Sequence, residues 1–440
     1  MSLTHTLETF FVPKLHRVIE FLTSQGITMA GNLIYGFLCV RLLPISEYAK
    51  FAVVFGVLGT ITVLMDISFS GTLLPLVGER IDDRRLIADY VASLRQLAHW
   101  LYLVMAPATI LVYPFLVRKQ QWSWRVVAAM VAILLIASWC ARVSGAYGAV
   151  LIVRRDRGSW YRAQMVSSLG TLALLGIVWA AHALSAFSAI LINVAGIVYV
   201  ALSYFFRARR LLGTKGNPSI EKRKAIVHLA LPNMPNAIFY ALQGPISLFL
   251  ITLFGHTTAV ASVGALSRLG QVFVLFSQMT PLLIEPYFAK LPAQRLKRNY
   301  LGVISIEVAF CLLVTGLAHI YPQLFLWVLG HNYSGLRFEV LLMIASSSIS
   351  YLSGILWVIH CSRRFVYWWN GMAVITLTLA VQAFFIWKVD LSTVRAVLTM
   401  NLWTVYVALL INIFTGIYGF TRGPREIVGP AVIATGSDYA

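Results

Sequence analysis

Charge is what this chain has least of. Of its 440 residues only 12% are Asp, Glu, Lys or Arg, about half the share a soluble domain carries, while 59% are hydrophobic. Mean hydropathy is +0.79. Such a composition cannot cover a water-facing surface with polar groups, which excludes soluble-enzyme, nucleic-acid-binding and disordered classes. Acidic residues are scarcest, 16 against 35 Lys and Arg; in a membrane-embedded chain that surplus reports topology before it reports a partner. Only four cysteines occur, Cys39, Cys140, Cys311 and Cys361. They lie in or beside apolar stretches without C-x-x-C spacing, so no disulfide framework or zinc site is implied. No histidine pair has His-x-x-x-His or His-Glu-x-x-His spacing, and no G-x-x-x-x-G-K-[S/T] phosphate loop is present. The residues therefore point to no metal, no cofactor and no ATP hydrolysis by that machinery. Met1 to Pro13 lacks the short apolar core and small-residue cleavage site of a signal peptide and is read as retained.

What is abundant is apolar sequence in long runs. A spanning helix needs about 20 mostly apolar residues, and twelve such runs can be drawn: 18–42, 48–74, 97–117, 126–152, 160–182, 185–206, 226–254, 257–288, 300–320, 338–360, 366–387 and 394–420. With the N-terminus on one side, 24 basic residues fall on that side and 8 on the other, with three arginines inside spans. The positive-inside rule then places both termini in the cytoplasm. The expected organisation is a six-helix lobe over 1–206, a basic cytoplasmic linker over 207–224, a second six-helix lobe over 225–421 and a cytoplasmic tail over 422–440.

One short echo supports two related halves: Pro75-Leu-Val-Gly-Glu79 at the end of span 2 and Pro281-Leu-Leu-Ile-Glu285 at the end of span 8, offset by 206 residues. Six spans separate the copies, so the halves share one orientation. That is the parallel repeat of a two-lobed transporter, with a cavity between lobes near the midplane.

Three charges sit deep in spans: Asp66, Arg142 and Arg268. Arg142 precedes Arg154 by 12 residues, about 18 Å of helix, beyond easy snorkelling. An unpaired arginine there costs about 3 kcal/mol or more and demands a partner, water or a ligand. Under the 206-residue offset Asp66 maps to position 272, one turn from Arg268, so the two are expected to meet. They would form either a static ion pair holding helices in register or a gate that opens with transport. Arg162, Glu285 and Glu307 lie nearer span ends and read as interfacial. Span 7 carries Pro232, Pro235 and Pro245 beside Gly244. Each proline removes a backbone donor and clashes with the preceding turn, so the span is expected to bend as a hinge and to border the pathway. The twelve tryptophans fall largely near span ends, as interfacial belts do.

Several stretches resemble polysaccharide exporters of the Wzx type. Arg41-Leu-Leu-Pro-Ile-Ser-Glu-Tyr48-Ala-Lys-Phe51, running on to Asp66-Ile-Ser-Phe-Ser-Gly71, is similar to that family's R-L-L-G-x-x-E-Y-G-x-F turn and the span ending near D-L-G. Here Pro44 replaces the turn glycine, and Ile67-Ser68 replaces Leu-Gly. Arg142 to Arg162, with Arg154-Arg-Asp-Arg157, resembles the connection between spans 4 and 5, and Leu326-Trp-Val-Leu-Gly330-His-Asn-Tyr333 resembles the L-F-G-x-x-Y element before span 10. The resemblance implies the multidrug/oligosaccharidyl-lipid/polysaccharide (MOP) superfamily fold: an all-α polytopic protein of about twelve transmembrane helices in two six-helix lobes around a central cavity. It implies a flippase in the bacterial inner membrane, carrying a polyprenyl-diphosphate-linked oligosaccharide for O-antigen, capsule or exopolysaccharide synthesis, beside a glycan polymerase and a chain-length regulator. Arginine's planar donors match phosphate oxygens, which makes Arg142 and Arg268 the candidate substrate contacts. A drug/cation antiporter of the same fold is an alternative, but its cavity should be dominated by carboxylates. A membrane-embedded glycan polymerase or ligase is another, but its arginines and histidines should fill a sizeable periplasmic loop. The longest such loop here, about Tyr321 to Arg337, holds His331, Arg337 and little else.

Overall fold

The structure, a computed structural model, describes residues 12–78, 80–277 and 280–422. Glu79 of the repeat, the first eleven residues and the tail beyond Arg422 lie outside the described residues. The N-terminal half contributes α1 (Val12–Leu42), α2 (Ile45–Leu64), the short α3 (Leu73–Val77), α4 (Arg84–Val117), α5 (Trp124–Val153), α6 (Arg157–Ala180) and α7 (Ala186–Leu212). The C-terminal half contributes α8 (Ile220–Ala230), α9 (Met234–Gln243), α10 (Ile246–Phe254), α11 (Thr257–Ser277), α12 (Thr280–Lys290), α13 (Ala293–Ile320), α14 (Pro322–Leu329), α15 (Arg337–Ser362), α16 (Trp368–Lys388) and α17 (Val394–Arg422). Among the described residues ten helices are long and apolar enough to cross a membrane, and α8 with α9 makes an eleventh if that bent pair is one span. The 31-residue α1 corresponds to the first expected span. Side chains such as Leu111, 72% exposed, and Trp387, 78% exposed, cover an outer surface suited to lipid.

Local chemistry sets the helix ends. Asp83 caps α4 by accepting from the Leu86 amide at 2.9 Å, leaving one fewer orphan donor at the first turn. Ser185 and Ser188 form a capping box at α7, and the Ala186 amide donates to Glu47 of α2 at 3.0 Å. Gly213 ends α7 at φ +65°, where a Cβ would be strained. The proline-rich seventh span is broken as expected: α8 stops at Ala230, α9 starts at Met234 with Pro235 in its first turn, the two are bent by 61°, and Pro245 separates α9 from α10.

Contacts between turns sort the chain into two faces. Arg154 donates to the Ile81 carbonyl at 2.7 Å and pairs with Asp82, Arg207 pairs with Asp156, and Lys222 pairs with Asp89 at 2.6 Å. This is the basic face. Partial burial alone would raise the Asp156 carboxyl, but hydrogen bonds from Arg207 and Ser159 outweigh it and hold the group below its ordinary range. On the opposite, charge-poor face the two halves are joined. Gln120, beyond α4, donates to the carbonyls of Thr252 and Gly255 at 3.0 and 3.1 Å and accepts from the Thr257 hydroxyl at 2.9 Å. Arg41 lies over the Trp327 ring, and Tyr48 meets Tyr333 edge-on. Deeper in this seal Gly264 of α11 packs on Ala52 of α2; a Cβ on Gly264 would lie 2.6 Å from that of Ala52. Small residues bring the two backbones this close, as at other transmembrane helix crossings.

Candidate substrate cavity

Where the seal ends, a cavity of about 640 Å³ begins and extends toward the basic face. Its wall comes from α1, α2, α5, α6 and α7 of the N-terminal half and from Gln271, Val274 and Leu275 of α11. Helical periodicity explains which residues reach it. On α6 the wall residues Gln164, Ser167, Ser168 and Thr171 follow i, i+3, i+4, i+7 spacing, and on α1 Thr28, Asn32 and Tyr35 follow i, i+4, i+7. Residues so spaced share one helix face. Among the described residues no Asp, Glu, Lys, Arg or His lines the cavity.

Both arginines expected to bind substrate lie outside this wall. Arg142 faces α4, donating to His99 Nδ1 at 3.2 Å with its guanidinium 3.6 Å from the centre of the Trp139 ring. Ala141 and Ser144, its neighbours on α5, reach the cavity instead. Arg268 is buried, 3% exposed, one layer behind the wall. Its guanidinium stands 4.0 Å from the Phe55 ring centre and donates to Gln271 Oε1 at 3.3 Å, and both partners are wall residues. Gly36 leaves room for it, since a Cβ there would come within 3.1 Å of the arginine. Its Nε atom has no hydrogen-bond partner. An unopposed guanidinium about 8 Å away attracts an anion by about 2 kcal/mol at an effective dielectric of 20.

The Asp66–Arg268 pair expected from the sequence is not formed in this structure. Asp66 accepts from the Ser70 amide at 2.9 Å and the Ser70 hydroxyl at 2.6 Å, closing the turn after α2, and packs over Gly145 of α5. The reason is register. α2 begins at residue 45 and α11 at 257, so the helices align at an offset of 212 rather than the 206 of the proline echo. Arg268 is therefore level with residue 56, and Asp66 lies ten residues, about 15 Å of helix, further along. Span 7 also departs from expectation. Pro232, Pro235 and Pro245 break it, but none of its residues lines the cavity. It packs instead behind α2, where Thr60 donates to the Ala241 carbonyl at 3.1 Å.

Arg162, read as interfacial, bonds back to its own helix at the Gly158 carbonyl. Glu307 accepts from Tyr351 at 3.0 Å within the C-terminal half. Among the described residues no group of three His, Cys, Asp or Glu gathers as metal ligands.

The fold is that of MOP-superfamily transporters. A multidrug resistance MATE family transporter of that superfamily in an inward-facing conformation superposes with a TM-score of 0.64 at 14% identity, over 90% of this chain and 96% of that one. The lipid II flippase MurJ, in an inward closed conformation, superposes with a TM-score of 0.60 at 12% identity, over 92% of this chain and 89% of that one. A MOP-superfamily transporter from Pyrococcus furiosus follows with a TM-score of 0.51 at 15% identity, over 92% and 94%. No family model matches the sequence, and no curated protein matches it either.

Within this MOP fold, the residues that sequence reasoning missed are the neutral ones: Asn32, Gln164, Ser167, Asn193 and Gln271. A search for intramembrane charge passes over them. The signal that would have found them is the stripe of hydroxyls and amides at helical spacing on α6 and α1.

Proposed function

We propose that this chain is a flippase, moving a polyprenyl-diphosphate-linked oligosaccharide from the cytoplasmic to the periplasmic leaflet of a bacterial inner membrane by alternating access. The observation that carries the reading is a largely apolar cavity with a stripe of hydroxyls and amides, in front of a buried arginine; among the described residues no carboxylate lines the cavity and none pairs with that arginine. A glycan needs hydrogen-bonding groups, and a diphosphate needs a cation that stays charged. A cation antiporter needs the reverse, an acidic wall, and a polymerase or ligase needs a reactive centre outside the bilayer. The lipid II flippase of the same fold moves a lipid-linked precursor, which suits this reading. Both termini would be cytoplasmic, as the excess of Lys and Arg on the basic face indicates. The cavity would then face the compartment where the lipid-linked sugar is made, and Arg268 would meet the diphosphate as Phe55 and Gln271 move aside. A glycan polymerase and a chain-length regulator would act on the product.

The test is replacement of Arg268. Arg268→Ala should abolish surface glycan export and leave lipid-linked intermediates in the inner leaflet, while Arg268→Lys should restore only part, lacking the planar two-point contact. Wild-type export by Arg268→Ala at matched protein level would overturn the assignment.

A further inference from the structure

The cavity wall carries more information than the fold. We infer that its N-terminal side is a subsite for an uncharged, hydroxyl-rich glycan, and that this chain discriminates against sugars bearing carboxylate or sulfate. The inference rests on the flippase reading and narrows its substrate class.

Ten wall residues are hydroxyl or amide side chains: Ser, Thr, Asn and Gln. Several of these are committed to the protein itself. Thr28 donates to the Ser24 carbonyl, Ser168 to the Thr28 carbonyl, Thr171 to the Ser168 carbonyl and Thr62 to the Leu58 carbonyl. They tie helices and turns together and would do so in any bundle. Asn32, Asn193 and Ser167 are different: among the described residues the side chains of these three have no hydrogen-bond partner, and all three line the cavity. Gln164 uses only its amide nitrogen, toward Tyr204 at 3.1 Å, which leaves its carbonyl oxygen free. Each free amide offers two donors and two acceptor lone pairs, a mixed set that matches sugar hydroxyls, which donate and accept at once.

The same wall is poorly suited to an anion. A carboxylate accepts but cannot donate, so half of each amide would face it unmatched. With no cation among the described lining residues, its charge would be desolvated without a partner. Arg268 stands behind Phe55 and Gln271 at the α11 edge, while Asn193 and Gln164 belong to α7 and α6. That separation divides the substrate: diphosphate toward the arginine, neutral sugars against α6 and α7.

The experiment uses the full chain in proteoliposomes and two synthetic probes. One is a polyprenyl diphosphate bearing a neutral hexose trisaccharide, the other the same molecule with one hexose replaced by a hexuronate. The readout is the initial rate at which each becomes accessible to a soluble glycosidase on the far side. The neutral probe should move at least tenfold faster. Asn193→Lys, which places a cation on the neutral wall, should reduce that ratio severalfold by speeding the uronate probe. The wild-type ratio needs no substitution and decides even if the variant does not fold. Equal rates for both probes would overturn the inference and leave the flippase reading standing. Movement of neither probe would overturn the flippase reading and the inference with it.

Discussion

The two halves of this protein use polar residues in opposite ways. In the C-terminal half they are spent inside the bundle. Asn370 bonds to Thr415, Asn412 donates to Ser353 at 2.8 Å, Tyr300 faces His360 at 3.3 Å, and Thr315 meets Ser348 at 3.2 Å. In the N-terminal half Asn32, Ser167 and Asn193 are turned to the cavity, and among the described residues their side chains have no hydrogen-bond partner. A polar group in hydrocarbon must find a partner or water. Internal pairing turns the C-terminal half into a cross-linked support. Exposure to the cavity turns the N-terminal half into the surface that can bind. The two halves thus differ in the chemistry their polar residues perform.

The largest effect should come from the seal that joins the halves. Gly264→Val puts a branched side chain where even a Cβ lies 2.6 Å from Ala52. Overpacking of this kind typically costs about 1–3 kcal/mol, and here it should be relieved by parting the lobes. Spin labels at Lys119→Cys and Phe254→Cys should move apart, and Ala52→Gly should partly reverse the change. An unaltered label distance would show that α2 and α11 do not hold the halves together.

A smaller effect separates the two uses of asparagine. Asn370→Leu removes a buried bond in the C-terminal half and should lower stability by about 1 kcal/mol, at the upper side of what such bonds contribute in membranes. Asn193→Leu should leave the melting temperature within experimental scatter while reducing transport. Equal destabilisation by both would erase the contrast between the lobes.

The smallest effect concerns the turn after α2. Ile67 and Ser68 have φ of +38° and +65°, in the left-handed region that costs L-residues about 1–2 kcal/mol. Ser68 stands where the resembling exporters have glycine. Ser68→Gly should therefore raise stability by about 0.5 kcal/mol, net of the added freedom of the unfolded chain. A fall in melting temperature would mean that the Ser68 side chain makes a compensating contact.

Much of the architecture was legible in one dimension. Transfer of a residue into hydrocarbon has a sign and size that belong to that residue, so summing along the chain locates the spans, and the basic residues name the two faces. The break at Pro232 and Pro235 was legible for the same reason, since a missing backbone donor is a local fact. The site was legible only in part. Arg268 stood out because burying its charge is costly wherever it points. Its separation from Asp66 did not, because a six-residue difference between the proline echo and the true helix alignment moves a side chain by about 9 Å along a helix.

Sequence by itself determined that this is a multi-pass helical membrane protein with a basic face, a broken seventh span and arginines deep in its spans. Only the tertiary structure decided that Arg142 turns to His99, that Asp66 closes its own turn, and that neutral amides and hydroxyls reach the cavity beside apolar side chains. Charge and proline act through energies that each residue carries alone. The partner of a neutral polar group depends on how each helix is rotated about its axis, and that rotation is set by the packing of all its neighbours at once.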